Sequence, residues 1–186
     1  MPKILQKSKR KVYINEIVDY EVIDGDSLKA TIDLGYGCYK SVTVRLDRLD
    51  TPELKSANPL EREAAKFVTS VSRKILQICS EEMMMLESQE LDLYGRAVGA
   101  IFFHKCHVEL NSILINLKLA RRYSGDKARE SWKDEELKEI IDISHKFLMQ
   151  LDTINPADTL SDWIAKSSYL AGYLDARMDG YPGMGC

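Results

Sequence analysis

Two short stretches of the chain hold residues whose types and spacing could do chemistry together. Asp24-Gly25-Asp26 sets two carboxylates on either side of a residue with no side chain, so that their oxygens can converge on a hard cation. Acidic-Gly-acidic triplets usually mark solvated turns, and alone this one says little. The second stretch, Arg45-Leu46-Asp47-Arg48-Leu49-Asp50-Thr51-Pro52-Glu53, is more telling. A strand puts alternate residues on one side, so Arg45 and Asp47 share a face, and Asp50 and Glu53 follow where Pro52 ends the ladder. A carboxylate for a metal, another for a water and an arginine for a phosphate all fit within nine residues.

These residues need rigid elements to hold them. Residues 12 to 50 have β-type content, with Val12-Tyr13-Ile14, Ile17-Val18 and Tyr20 to Ile23 leading into the Asp24-Gly25-Asp26 turn. Leu28, Ala30 and Ile32 alternate with Lys29, Thr31 and Asp33, the period of a strand with one wet face. Gly35-Tyr36-Gly37 tolerates positive φ, and Val42, Val44 and Leu46 resume the alternation, so a hairpin returns the chain toward Asp50. Past Pro59 a helix is expected from about Leu60 to Ile78, with Ala64, Phe67, Val68, Val71, Ile75 and Ile78 on one stripe. A second hairpin is expected over residues 83 to 104 around Asp92-Leu93-Tyr94-Gly95-Arg96, its methionines 83 to 85 serving as core filler. Helices over Leu110 to Leu119 and Lys133 to Leu151 complete an α+β domain around a small barrel.

With 186 residues, 45% hydrophobic and 30% charged, the chain can bury a real core, and it has no apolar run long enough for a membrane span. The basic N-terminus lacks the apolar stretch of a secretory signal, so a cytoplasmic location is expected. The net charge of −3 argues against a surface that coats nucleic acid through general basicity, so any phosphate contact must be local. Cys38, Cys79, Cys106 and Cys186 are too scattered for a zinc knuckle or a disulfide framework. His104-Lys105-Cys106-His107 reads as a turn at the hairpin exit rather than a metal motif.

Taken together, Val22 to Lys29 around Asp24-Gly25-Asp26, Val44-Arg45-Leu46 with Leu49-Asp50-Thr51-Pro52-Glu53, and Leu93-Tyr94-Gly95-Arg96-Ala97 resemble the three signatures of staphylococcal (micrococcal) nuclease-like domains, in the family's order. Leu110 to Leu114 and Leu119-Ala120 also resemble the segment after the family's second hairpin. The resemblance covers residues 12–151 and implies an OB-fold, a five-stranded β-barrel with packed helices. It further implies a divalent-metal-dependent nuclease acting on DNA or RNA and leaving 3′-phosphate ends. Carried over residue by residue, Asp26, Asp50 and the Thr51 carbonyl bind calcium, with magnesium or manganese as alternatives, and Asp24 stands beside them. Glu53 is the base or orienter for water, and Arg45 and Arg96 hold the scissile phosphate. Tyr94 becomes a wall beside the phosphate, and Tyr123 takes the place of a tyrosine that flanks the bound base. Beyond the family pattern, Lys118, Arg121, Arg122, Lys127 and Arg129 read as a local basic strip, with Arg121 and Arg122 as substrate contacts. Hydrolysis drives negative charge onto phosphoryl oxygens, and arginine meets it with a planar fork that stays charged when desolvated. In binding-only relatives the acidic and arginine positions are typically lost; here all are present, so an enzyme is expected over a nucleic-acid or protein binding module.

Residues 155–186 form the least familiar part. Asn155-Pro156 reads as a helix start, and Leu160, Trp163, Ile164, Ser167, Ala171, Leu174 and Met178 keep helical spacing. Tyr169 to Ala176 weakly resembles the helix of LAGLIDADG homing endonucleases, but only eleven residues follow Asp175, too few for their DNA-binding saddle. An added packing helix is expected, through which a homodimer could form.

Overall fold

The strands follow directly from the alternation in the sequence. In this computed structural model, which describes residues 11–81, 83–103, 108–124 and 128–152, the elements run β1 (Tyr13–Val22), β2 (Ser27–Asp33), β3 (Tyr39–Leu46), β4 (Leu49–Asp50), α1 (Pro59–Ile78), a 3₁₀ turn (Cys79–Glu81), β5 (Met84–Leu91), β6 (Ala97–Phe103), β7 (Val108–Glu109), α2 (Leu110–Asn116), β8 (Arg121–Arg122) and α3 (Asp134–Leu151). Leu28, Ala30 and Ile32 point into the core, as their spacing requires, while Lys29 faces water. Gly35, Tyr36 and Gly37 all take positive φ at the β2–β3 turn, and Gly95 does so at the β5–β6 turn.

Antiparallel pairing runs β3-β2-β1-β5-β6, and a parallel pairing of β3 with β6 closes the sheet into a five-stranded barrel. Closure depends on one residue without a side chain. Gly99 pairs with Leu46 in that parallel ladder, and a Cβ there would lie 2.2 Å from the Glu87 carbonyl oxygen on β5. The Asp47 amide then donates to the Gly99 carbonyl at 2.7 Å, which ties the start of the Arg45–Glu53 segment to β6.

Asn58 caps α1 by accepting the Leu60 amide at 2.9 Å, and Pro59 opens the helix where no amide is needed. Ala64, Val68, Val71 and Ile75 are fully buried on one stripe; Phe67 and Ile78 lie at its half-buried margins. Each large aliphatic side chain on that stripe contributes about 1.5–3 kcal/mol of burial free energy. α3 packs on α1 through Leu137, Ile140, Phe147 and Leu151. Of the three methionines expected in the core, Met84 is buried, Met85 is half-buried and Met83 is exposed, as the strand period dictates.

The end of the second expected helix differs. α2 stops at Asn116 instead of reaching Leu119, because Lys118 adopts a left-handed φ of 60°. That reversal lets the Leu119 and Ala120 amides both reach the Leu114 carbonyl, at 2.9 and 3.2 Å, and drops Leu119 into the core. The chain leaves in extended form as β8, which pairs with β4 in the registers Leu49↔Arg122 and Asp50↔Arg121. No described helix is long and apolar enough to cross a membrane. The histidine-flanked stretch 104–107, the C-terminal helix over 155–186 and the homodimer expected through it fall outside the described residues.

Candidate active site

The turn between β1 and β2 is built by its own carboxylate. Asp24 Oδ1 accepts the Asp26 amide at 3.1 Å, and the Ile23 and Asp24 amides donate to the Ser27 carbonyl at 3.0 and 3.1 Å. Gly25 is there for close approach. A Cβ would meet Thr51 Oγ1 and Val68 Cγ1 at 2.8 Å each, so the turn can sit against both the Arg45–Glu53 segment and α1. Ser72 donates to the Gly25 carbonyl at 3.3 Å, and the Leu46 amide donates to the Asp26 carbonyl at 2.8 Å. The two stretches that looked chemically competent, separated in sequence by a whole hairpin, are thereby locked side by side.

The charges that result are buried. Asp26 is 6% exposed, Arg45 8% and Asp50 1%. A buried ion is costly unless paired, and each of these is paired. Arg45 Nη1 forms an ion pair with Asp26 Oδ2, and its Nη2 donates to the Leu49 carbonyl at 3.3 Å. Burial, and then the like charges of Arg129 and Arg96, pull the Arg45 pKa down to about 10; Asp50 and Asp24 pull it back up. The guanidinium therefore stays cationic at neutral pH while standing among both carboxylates and two further arginines. Asp50 Oδ2 accepts from Arg121 Nε and Nη2 at 3.0 and 2.9 Å, and its Oδ1 lies 3.1 Å from Arg129 Nε without a hydrogen-bond partner among the described residues. Arg121 is itself clamped by the Glu130 carbonyl and by Trp132, whose ring centroid lies 4.1 Å from the guanidinium carbon.

Glu53 stands at the rim, half-exposed, and forms an ion pair with Arg129. Its loop is fixed by the first turn of α1. Glu61 accepts the Glu53 amide at 3.2 Å and the Ser56 hydroxyl at 2.6 Å.

Arg96 comes from the turn before β6, the strand that pairs with β3. Asp92 organises the β5–β6 turn that presents it. Asp92 Oδ1 accepts the Tyr94 and Arg96 amides, both at 2.9 Å, and Oδ2 accepts Arg96 Nε at 2.7 Å. Burial raises the Asp92 pKa, but the Arg96 amide and guanidinium and the Tyr94 amide outweigh it and hold the carboxyl below its ordinary value. Arg45, Arg96, Tyr123 and Arg129 line one cleft of about 900 Å³, with Glu87 and Gln89 of β5 on its floor and Ser124 beside Tyr123.

Residues 43–143, more than half of the chain, match the family model described as staphylococcal nuclease homologue. The chain belongs to the staphylococcal nuclease family. A direct comparison with curated proteins gives no match. The family match begins inside β3, and the closed five-stranded barrel with its helices supplies the rest of the fold from residue 13 onward.

Within this nuclease-like fold the structure gathers Asp26, Arg45, Asp50 and Thr51 in the interior, with Asp24 half-buried beside them, Glu53 at the rim and Arg96 lining the cleft with Arg45. Tyr123 lines that cleft. Tyr94 stands at the turn tip, 84% exposed, with its ring centroid 5.6 Å from the Arg96 guanidinium carbon. Arg121, expected to contact substrate, instead holds Asp50, and Arg122 lies exposed opposite Leu49. Sequence reasoning missed three positioning residues. Asp92 could have been found as the side chain that opens an Asp-x-x-Gly turn. Arg129 stood out only as one residue of the basic strip, with no sign of its carboxylate partners. Asn111, buried, donates to the Asp47 and Gly99 carbonyls at 2.9 and 3.3 Å and so pins the Arg45–Glu53 segment to β6; inside an apolar helix a lone amide of this kind is a hint that a backbone group needs a partner.

Among the described residues no three His, Cys, Asp or Glu side chains converge as a metal cluster. The donors that the family would use are two carboxylates and a carbonyl, a hard-oxygen set suited to calcium. They fit that role here: Asp26 and Asp50 are buried, Thr51 is 2% exposed, and Asp50 Oδ1 is a buried oxygen without a hydrogen-bond donor. In this structure the arginines compensate the charge that a cation would otherwise balance.

Proposed function

We propose that this protein is a divalent-cation-dependent nuclease that hydrolyses phosphodiester bonds of DNA or RNA and leaves 3′-phosphate ends. The observation that carries the reading is that Arg45, paired with the buried Asp26, and Arg129, paired with the buried Asp50, line the same cleft as Arg96. Buried charges of this kind are expensive to the fold, and a row of them at a cleft wall is where functional sites concentrate. A cation held by Asp26, Asp50 and the Thr51 carbonyl would supply Lewis-acid polarisation of a phosphoryl oxygen. Arg45 and Arg96, fixed from two sides by Asp26 and Asp92, hold the phosphoryl group by its oxygens and meet the negative charge that grows on them. Glu53, at the half-exposed rim, takes the proton of the attacking water or orients it in line with the leaving oxygen. Tyr123 flanks the cleft where a base would lie.

A second reading has its own support. Asp26, Asp50 and Glu53 are each already matched by an arginine, as suits a nuclease-like domain that binds nucleic acid or protein with little or no cleavage. Digestion of end-labelled single- and double-stranded DNA and RNA, with calcium, magnesium, manganese or excess chelator, separates the two. Cation-dependent cleavage with 3′-phosphate ends is expected. Undiminished cleavage in chelator removes the metal assignment, and binding without cleavage under every cation hands the site to the second reading.

A further inference from the structure

Among the described residues, Arg129 is the one arginine that touches the two carboxylates with the most distinct expected tasks. Its Nε lies 3.1 Å from Asp50 Oδ1 and its Nη1 pairs with Glu53 Oε1, so one guanidinium bridges a buried carboxylate and a rim carboxylate. The same side chain lines the cleft beside Arg45 and Arg96, and its guanidinium carbon is 5.9 Å from the Tyr123 ring centroid. The two partners of Asp50 are held quite differently. Arg121 donates twice to Oδ2, is stacked on Trp132 and is three-quarters buried. Arg129, with a side chain 37% exposed, meets an oxygen to which it makes no hydrogen bond, from outside any described helix or strand.

We propose that Arg129 is a displaceable counter-charge for the site: it neutralises Asp50 Oδ1 and Glu53 until a divalent cation takes the Asp50 oxygen, and it then yields both carboxylates. The inference rests on the metal-dependent reading above. Its physical basis is competition, because a guanidinium and a cation cannot both sit against Asp50 Oδ1, and each repels the other. Arg121, facing the other oxygen, remains in place and keeps the carboxylate aimed. Arg129 leaves Glu53 free for water at the moment that the site is loaded, so cation affinity and the availability of Glu53 are coupled through one side chain.

The test is calcium binding, measured by isothermal titration calorimetry on the full chain without substrate. Wild type is compared with Arg129→Ala, Arg129→Gln and Arg129→Lys, with thermal melts of all four. Removing the competing charge in Arg129→Ala and Arg129→Gln is expected to tighten calcium binding about fivefold, the scale of one partly exposed ion pair. Arg129→Lys, which keeps the charge, stays close to wild type. Equal or weaker calcium binding by the Ala and Gln variants, with melts like wild type, overturns the counter-charge role and leaves the nuclease reading standing. Absence of calcium binding in all four chains overturns both.

Discussion

Replacing Asp92 tests how much of the site depends on a residue that touches neither the expected metal donors nor the scissile phosphate. Asp92→Ala removes three hydrogen bonds, two from backbone amides at 2.9 Å and one charge-assisted bond from Arg96 Nε at 2.7 Å. At about 1 kcal/mol net for each bond, the loss is about 2–3 kcal/mol, or roughly 5–10 °C in Tm for a domain of this size. Asp92→Asn keeps an acceptor for the two amides but turns an NH2, which cannot accept, toward Arg96 Nε, so it should cost about 1 kcal/mol for that one bond. Turnover should separate the two effects. With its guanidinium no longer held from below, Arg96 loses its preorganisation, and kcat in Asp92→Asn is expected to fall on the order of tenfold at nearly native stability. The acid limb of stability carries the same signature. The folded pKa of Asp92 is lowered, so its contribution is fully present above the ordinary carboxylate value near 4 and disappears as pH falls through the lower folded value. Asp92→Asn should therefore flatten the stability profile below about pH 4. Calorimetric melts from pH 2 to 7 and single-turnover cleavage of a labelled oligonucleotide measure both. An Asp92→Ala protein that melts and cleaves like wild type would falsify the claim that this turn positions Arg96.

Gly99→Ala drives a methyl group to 2.2 Å from the Glu87 carbonyl, a backbone atom that cannot rotate away, so urea denaturation should show a loss of about 2–3 kcal/mol; an unchanged midpoint contradicts the account of barrel closure. Glu53→Gln alters a half-exposed rim residue and should lower the single-turnover rate at least tenfold while leaving substrate affinity and Tm within error, and a rate near wild type argues for the binding-module reading. Arg45→Lys keeps the charge but loses the planar fork, so turnover should drop about 10²-fold; because Arg45 is buried between Asp26 and the Leu49 carbonyl, a lower Tm is expected as well, and normal turnover would remove Arg45 from the phosphate.

The barrel was legible because its determinants are local. Alternation in residues 28–32 and 42–46, the glycines at 35, 37 and 95, and the apolar stripe of α1 each encode a strand, a turn or a helix within a few residues. The expected site residues could be named for a different reason, since the signatures around Asp26, Asp50 and Arg96 are short and specific. The pairing inside the site was not. Arg121 reads as a free basic residue in the sequence, yet it meets Asp50 because Lys118 reverses the chain and sends it back along β4. Nothing local to Lys118 announces a left-handed conformation, which an L-residue adopts only when the surrounding packing, here the burial of Leu119, outweighs the strain. Arg129 meets Glu53 across the same excursion, and Asn111 acquires its partners from two separate elements.

The β4–β8 ladder also dictates an order of events during folding. Asp50 meets Arg121 across 71 residues of chain and Glu53 meets Arg129 across 76, whereas the β1–β2–β3 meander that carries Asp26 and Arg45 closes over short hairpins. Loop closure over such separations is entropically slow to nucleate. On the ribosome, a chain that has not yet reached residue 121 can form the meander and α1 but holds Asp50 without the arginines that later cover it. The wall around Asp50 therefore stays incomplete until the segment after α2 emerges.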